Sequence, residues 1–151
     1  MKSSQSSEQL PVIGGREYLA LPDFKISSIE AKIDLTTRSS VLHAFELEYF
    51  EQDTMSAIRF KIYPQQNDSQ TVVQATARVI KKQEVRDAEG NVQLSPIIQT
   101  WVSLAGKEWP IELILTDCDI DNFRLALGRK ALRRRFSVDP SLSFVKSQLA
   151  P

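Results

Sequence analysis

The sequence contains one cysteine and one histidine, and each scarcity excludes a kind of site. Cys118 alone cannot form an internal disulfide or a zinc site with several cysteine ligands. His43 alone excludes a His-Glu-x-x-His zinc helix, and tetrahedral zinc usually recruits more nitrogen or sulfur ligands. The five glycines form no Gly-x-x-x-x-Gly-Lys-Ser/Thr phosphate loop. We therefore predict no metal site and no cofactor.

Net charge and long apolar runs are also missing. Nineteen basic and nineteen acidic residues cancel, which is not typical of a general nucleic-acid or membrane binder. No run reaches the roughly 18 apolar residues that cross a bilayer. Residues 1–12 are polar and lack the apolar core of a signal peptide, so we predict a flexible leader before one domain over residues 13–151. The cytoplasm is the default compartment, and a removed signal peptide would instead indicate the periplasm.

Alternation of apolar and polar residues with a period of two dominates the chain. It is clearest in residues 57–63, where apolar side chains alternate with Arg59 and Lys61. Residues 45–49 and 73–79 follow the same pattern. Such half-buried strands are typical of antiparallel sheet.

Turn residues divide these strands into hairpins. The polar segment 87–91 separates residues 83–86 from residues 92–104, and 105–107 form a tight turn before 109–116. Pro110 is expected to place the stretch 109–116 at a sheet edge or bulge. A helix of about two turns is predicted over Gly128–Arg135, and a last strand over Ser143–Val145. The spacing indicates an all-β barrel or sandwich with one short helix near the C-terminus.

Two distant segments carry a resemblance to the retropepsin-like aspartic peptidases. A strand-like run ends at Asp34, and a hydrophobic-hydrophobic-Gly segment ends at Gly128 and opens the helix. The chain is similar in particular to a bacterial family long labelled putative ATP-dependent zinc protease and associated with glutamate ligases. Further matching segments, over roughly Ile13–Val145, are Gly15–Glu17, Leu21–Pro22, Ala31–Asp34, Leu42–Ala44, Trp109–Glu112 and Leu127–Arg129.

The resemblance implies a closed acid-protease barrel with Asp34 as the catalytic residue. It places Leu35, Thr36 and Thr37 in the active-site loop, with Leu127, Gly128 and Arg129 as the supporting segment. The family strip usually reads Asp-Thr-Gly-Ala, whereas here Leu35 lacks the bracing hydroxyl and Thr36 replaces the glycine. A peptide-binding or regulatory homologue with impaired catalysis therefore stays open as an alternative.

Aspartic peptidase chemistry requires two carboxylates that share one proton. The ionised one deprotonates the attacking water, and the protonated one polarises the peptide carbonyl. This chain offers one motif aspartate, so we expect a homodimer in which each subunit donates Asp34 across a two-fold axis.

The family's association with α-linked glutamate tails implies an acidic or glutamate-rich peptide substrate. A set of cations near Gly128 fits such a substrate, because arginine forks bind carboxylates well: Arg124, Arg129, Lys130, Arg133, Arg134 and Arg135. Arg124, Lys130 and His43 are the candidate substrate contacts. The alternatives are a solvated helix face for the cations, a structural role for His43, and a nucleic-acid-binding barrel, which zero net charge disfavours.

Overall fold

The computed structural model describes residues 10–86, 89–117 and 122–147. These ranges contain eleven strands, a 3₁₀ turn at Pro22–Phe24 and one short α-helix. The strands are β1 (Val12–Gly14), β2 (Arg16–Leu21), β3 (Ile26–Ile33), β4 (Ser40–His43), β5 (Phe45–Gln52), β6 (Met55–Ile62), β7 (Val73–Arg86), β8 (Val92–Leu104), β9 (Lys107–Thr116), β10 (Leu125–Leu127) and β11 (Ser137–Asp139), and the helix is α1 (Arg129–Leu132).

Six of the strands close into a barrel, in the order β2, β3, β10, β4, β9 and β8. The pairing of Ala20 on β2 with Ser103 on β8 completes the ring. Strands β7, β6 and β5 extend the sheet outward from β8, and β1 and β11 form a separate two-stranded sheet. The predicted all-β closed barrel with one short helix is therefore confirmed.

The period-two pattern assigns side chains to the core as expected. On β6, Ile58, Phe60 and Ile62 are fully buried, while Arg59 and Lys61 between them are partly exposed. On β7, Ala75 is buried whereas Gln74, Thr76 and Arg78 are exposed. Burial of these apolar side chains against the barrel core, at roughly 25 cal/mol per Å², is the main force that holds the outer strands.

The predicted hairpins form as well, although residues 87–88 of the first turn lie outside the described residues. Val79–Arg86 of β7 pair with Val92–Ile98 of β8 in antiparallel register. Ala105 and Gly106 join β8 to β9, and both have positive φ, as a two-residue hairpin turn requires. The prediction that Pro110 places this stretch at a sheet edge or bulge is wrong, because β9 lies between β8 and β4. Pro110 is tolerated there because it pairs with Trp101 of β8 and precedes Leu113, where the pairing with β4 begins.

The predicted helix is too long, because α1 covers only Arg129–Leu132. The chain leaves helical geometry at Arg133, whose ψ is 131°, and Arg134 has a positive φ of 69°. Trp109 Nε1 donates to the Ala131 carbonyl at 3.0 Å, and Lys107 Nζ donates to the Arg135 carbonyl at 3.0 Å. The helix therefore ends after one turn, and these bonds from β9 satisfy carbonyls of α1 and of the turn that follows it.

The predicted last strand over Ser143–Val145 is also wrong. The last strand is β11, which pairs in parallel with β1. The N–H groups of Val145 and Lys146 donate instead to the carboxylate of Glu17, so they do not enter a sheet ladder. The fully buried Glu17 therefore fixes the segment that the alternation assigned to a strand.

The predicted leader falls largely on residues 1–9, which lie outside the described residues, and β1 begins at Val12. Within the described ranges, no helix has the length and apolar character needed to cross a membrane.

Candidate functional site

Asp34 lies where three strands meet at one end of the barrel. β10 is inserted between β3, to which it is parallel, and β4, to which it is antiparallel. The Asp34 N–H donates to the carbonyl of Leu127, the last residue of β10, at 2.9 Å. Leu127 therefore lies directly beneath the first residue of the loop that joins β3 to β4.

Gly128 allows this loop to cross the end of β10. A Cβ atom at Gly128 would lie 2.6 Å from the carbonyl oxygen of Arg38, far inside van der Waals contact. The Gly128 N–H donates to the buried Ser40 Oγ at 3.0 Å. The crossing thus needs a residue without a side chain, and this explains why a glycine follows Leu127.

Thr36 binds the carboxylate of Asp34. Its hydroxyl donates to Asp34 Oδ1 at 2.5 Å, and its N–H donates to the same oxygen at 3.0 Å. The hydroxyl bond is the largest influence that holds the pKa of Asp34 below its ordinary value. Partial burial raises that pKa, while the Thr36 N–H and the positive charge of Lys32 lower it further. The ionised form of Asp34 is therefore stabilised.

The other loop residues face solvent or brace the loop. Leu35 is 43% exposed, although it is apolar and adjacent to Asp34. Arg129 donates from Nη1 to the Leu35 carbonyl at 3.1 Å, and its N–H donates to the Thr37 carbonyl at 2.9 Å. The start of α1 therefore holds the Asp34 loop by both its backbone and its first side chain.

Two cavities of about 400 Å³ each flank α1. We name them after their aromatic walls. The Trp109 cavity lies among the loop residues 38–40, strands β7, β8 and β9, and α1, and its charged lining residues are Arg38, Lys81, Glu112, Lys130 and Arg135. The Phe136 cavity includes Leu35, beside Asp34, and its charged lining residues are Arg38, Arg129, Lys130 and Arg133. Arg38 and Lys130 belong to both, so cations surround the cavities next to the Asp34 loop.

His43 and Arg124 lie at the other end of β10. The His43 N–H donates to the Arg124 carbonyl at 2.8 Å, where β4 ends and β10 is about to begin. The His43 ring stacks on Tyr63 at 6.3 Å, and the Arg124 guanidinium lies 5.0 Å from the same ring. Within one chain, the structure thus groups Lys130 with the Asp34 loop and separates His43 and Arg124 from it.

The sequence of residues 12–148 matches the RimB-like family, described as retropepsin-like aspartic endopeptidase RimB. The chain belongs to the RimB-like family. The predicted family is thereby confirmed. A crystal structure of a Legionella pneumophila protein of unknown function has the same fold, with a TM-score of 0.75 and 23% sequence identity over 90% of this chain and 98% of that one.

Several curated relatives of this RimB-like chain are named probable alpha-L-glutamate ligase. One from Desulfotalea psychrophila is 34% identical over 87% of this chain, and one from Shewanella halifaxensis is 30% identical over 91%. One from Parasynechococcus marenigrum is 34% identical over 85% of the chain. The matched region makes up 28%, 30% and 28% of these three relatives, so the chain spans less than a third of their length.

Three charged lining residues of the Trp109 cavity were not named as candidate site residues from the sequence, namely Arg38, Lys81 and Glu112. Lys81 is one of several cations on an exposed strand, and no local pattern distinguishes it. Glu112 carried a signal, because it ends the segment Trp109–Glu112 that resembles the RimB-like family. Among the described residues, no three His, Cys, Asp or Glu side chains form a group that would hold a metal ion.

Proposed function

We propose that this chain is the subunit of a homodimeric aspartic endopeptidase that cleaves acidic or glutamate-rich peptides. The observation that carries the proposal is the position of Asp34, at the end of β3 and above Leu127 and Gly128, in a chain of the RimB-like family. In this mechanism the Asp34 side chains of two subunits share one proton across the symmetry axis. The ionised carboxylate takes a proton from water, and the protonated one polarises the carbonyl that the water attacks.

The loop supports a dimer contact next to the aspartate. Leu35 leaves 43% of its surface exposed, and the two copies of Leu35 would lie close together if the Asp34 carboxylates met. Full burial of a completely exposed leucine contributes about 1.5–3 kcal/mol, and burial of the remaining surface of Leu35 would contribute part of this. In most family members the residue after the aspartate is a threonine, whose hydroxyl holds the loop by a hydrogen bond. The contact between the two Leu35 side chains would replace that hydrogen bond.

The charge around α1 supports an acidic substrate. The Trp109 and Phe136 cavities bring Arg38, Lys81, Arg129, Lys130 and Arg133 close to the loop that holds Asp34, in a chain of zero net charge. The relatives named probable alpha-L-glutamate ligase suggest α-linked glutamate peptides as the substrate. Charge-assisted hydrogen bonds from arginine and lysine would orient the carboxylates of such a peptide.

Incubation of the purified protein with poly-α-glutamate tests the proposal, with the Asp34→Asn variant as the control. We expect cleavage by the wild type and none by the variant, because asparagine cannot take a proton from water. A poly-glutamine peptide of equal length should be cleaved far more slowly. Equal cleavage by both proteins would remove Asp34 from the mechanism.

A second candidate is a peptide-binding or regulatory protein of the same fold. The contact that favours it is the Thr36 hydroxyl on Asp34 Oδ1, at the position where the family usually has glycine. This hydrogen bond stabilises the ionised carboxylate. It therefore opposes the protonation of Asp34 that a proton shared between two subunits requires. Binding of acidic peptides without turnover, by the wild type and by Asp34→Asn alike, would support this candidate.

A further inference from the structure

We propose that the Trp109 cavity binds the carboxylate side chain of an acidic peptide residue, and that Glu112 occupies this position when no peptide is bound. The inference rests on the proposed preference for acidic peptides and assigns that preference to one place in the fold. It adds Arg38 and Lys81 as specificity-determining residues and makes Glu112 an internal competitor.

The charge of the Trp109 cavity favours an anion. Its lining contains the cations Arg38, Lys81, Lys130 and Arg135, against the single carboxylate of Glu112. The whole chain is neutral, so this excess is local and does not reflect a generally basic protein. A concave site with cations on its walls concentrates field lines and attracts anionic groups.

The walls suit a glutamate side chain in particular. Apolar lining residues, Ile97, Trp109, Ile111 and Ile114, are buried and would contact the methylene groups. The Arg135 guanidinium lies 5.2 Å from the Trp109 ring and is therefore fixed at one side of the cavity. The volume of about 400 Å³ lies within the range of sites for small ligands, which is roughly 300–1,000 Å³.

Glu112 already places a carboxylate at the wall of the Trp109 cavity. Its Oε1 atom lies 3.6 Å from Lys130 Nζ, and both side chains line the cavity. Both are partly exposed, with 35% of the Glu112 side chain and 53% of the Lys130 side chain accessible. An ion pair of this kind contributes little, about 0.2–1 kcal/mol, so a peptide carboxylate can replace Glu112 at Lys130 at small cost.

The Trp109 cavity lies beside the chain segment that follows the Asp34 loop. Arg38, Ser39 and Ser40 line it and belong to the chain segment that runs from Asp34 into β4. In the neighbouring Phe136 cavity, Arg129 already donates to the Leu35 carbonyl and braces the loop. In this proposal Arg129 supports the loop, and carboxylate binding falls to the cations of the Trp109 cavity.

Titration of the Asp34→Asn protein with hexa-α-glutamate, followed by calorimetry and by amide chemical shifts, tests the assignment. A further Lys81→Gln substitution should weaken binding about 3- to 5-fold, because it removes one cation from the cavity. Lys82→Gln is the matched control, since Lys82 is the next residue on β7 and its Nζ lies 4.4 Å from the Tyr49 ring. This control should change the affinity by less than about 2-fold. Glu112→Gln should strengthen binding about 2- to 5-fold, because the competitor loses its charge.

Three results would overturn the inference. The first is equal weakening by Lys81→Gln and Lys82→Gln, which would indicate diffuse attraction by the whole surface. The second is unchanged or weaker binding after Glu112→Gln. The third is displacement of hexa-glutamate by inorganic phosphate at the same concentration, which would indicate a site for small anions in general. Because binding is measured without cleavage, a wild type that binds but does not hydrolyse would contradict the proposed peptidase and leave the cavity assignment intact.

Discussion

Thr36 has the strongest influence on the chemistry of Asp34 at the scale of single residues. Two donors of Thr36 meet one carboxylate oxygen, and the hydroxyl lowers the pKa of Asp34 more than any other group does. The sequence identified Asp34 through the segments around it, and it showed that Thr36 replaces a glycine. It did not predict the contact, because the rotamer of Thr36 depends on the turn that the loop adopts above β10.

Thr36→Val removes the hydroxyl donor and keeps the β-branched shape. We expect the pKa of Asp34 to rise toward its ordinary value, as measured by the pH dependence of its carboxyl resonance. The lowered pKa of Asp34 in the folded state stabilises the wild type above the pKa of the unfolded chain, and this stabilisation is lost as pH falls through the folded-state pKa. The stability difference between wild type and variant should therefore be present at neutral pH and shrink in acid.

Thr37→Val is the matched control for this titration. The Thr37 hydroxyl is directed to the Ser39 carbonyl at 3.4 Å and does not contact the carboxylate. The pKa of Asp34 should stay at its wild-type value in this variant. An unchanged pKa in Thr36→Val, or an equal change in both variants, would show that the hydroxyl contact does not control the titration.

At the scale of elements, the crossing of the β3–β4 loop over β10 holds the site together. A methyl group at Gly128 would meet the backbone of Arg38 and Ser39, which cannot move without shifting the Asp34 loop. Gly128→Ala should lower the free energy of unfolding by about 1–3 kcal/mol, as overpacking of a filled site does. Chemical denaturation measures this change.

Gly15→Ala is a graded control for Gly128→Ala. Its Cβ would lie 3.1 Å from the Pro140 carbonyl oxygen, a contact that a small shift relieves. The loss of stability should therefore be smaller than for Gly128→Ala. Equal losses of unfolding free energy in the two variants would mean that the loop crossing at Gly128 is no more tightly packed than the contact at Gly15.

Glu17 fixes the C-terminal segment to the barrel. The buried carboxylate accepts from the N–H groups of Gly14, Val145 and Lys146 and from the Ser147 hydroxyl. These donors compensate for burial of the charge, which would otherwise cost several kcal/mol. The alternation of residues 143–145 resembled a strand because sequence periodicity carries no information about a distant buried acceptor.

Glu17→Gln should destabilise the fold by about 1.5–3 kcal/mol, because the glutamine amide presents N–H groups where the structure supplies donors. Limited proteolysis should then cut within residues 142–147 faster than in the wild type. Glu48→Gln is the control, since Glu48 is 65% exposed in its ion pair with Arg59 and should lose at most about 1 kcal/mol. Equal stability of Glu17→Gln and wild type would show that the charge of the Glu17 carboxylate is not needed to hold the C-terminal segment.

At the scale of the whole molecule, the family resemblance predicted the closed barrel and the segment that supports the Asp34 loop, but neither the crossing over β10 nor the two cavities. Period-two alternation determines which side chains enter the core, so β6 and β7 were predictable. The Trp109 cavity depends on packing between β7, β9 and α1, which are distant in sequence. Local pattern therefore predicts strands well, whereas a cavity between distant elements requires the three-dimensional arrangement.

The proposed dimer makes Leu35 an interface residue. Leu35→Asp should weaken dimerisation about 10-fold or more in sedimentation velocity, because a charge would replace an apolar contact on the two-fold axis. Leu142→Asp is the matched control, because Leu142 is also 43% exposed and belongs to the C-terminal segment. Equal dimerisation of both variants would exclude the Asp34 loop from the interface.

Subunit mixing tests most directly whether two Asp34 carboxylates form one active site. Equal amounts of wild-type and Asp34→Asn chains, allowed to exchange, should leave about a quarter of the dimers with two aspartates. Cleavage of poly-α-glutamate per wild-type chain should then fall to about half of its value without the variant. An unchanged rate per wild-type chain, or no cleavage by the wild type alone, would contradict the shared site.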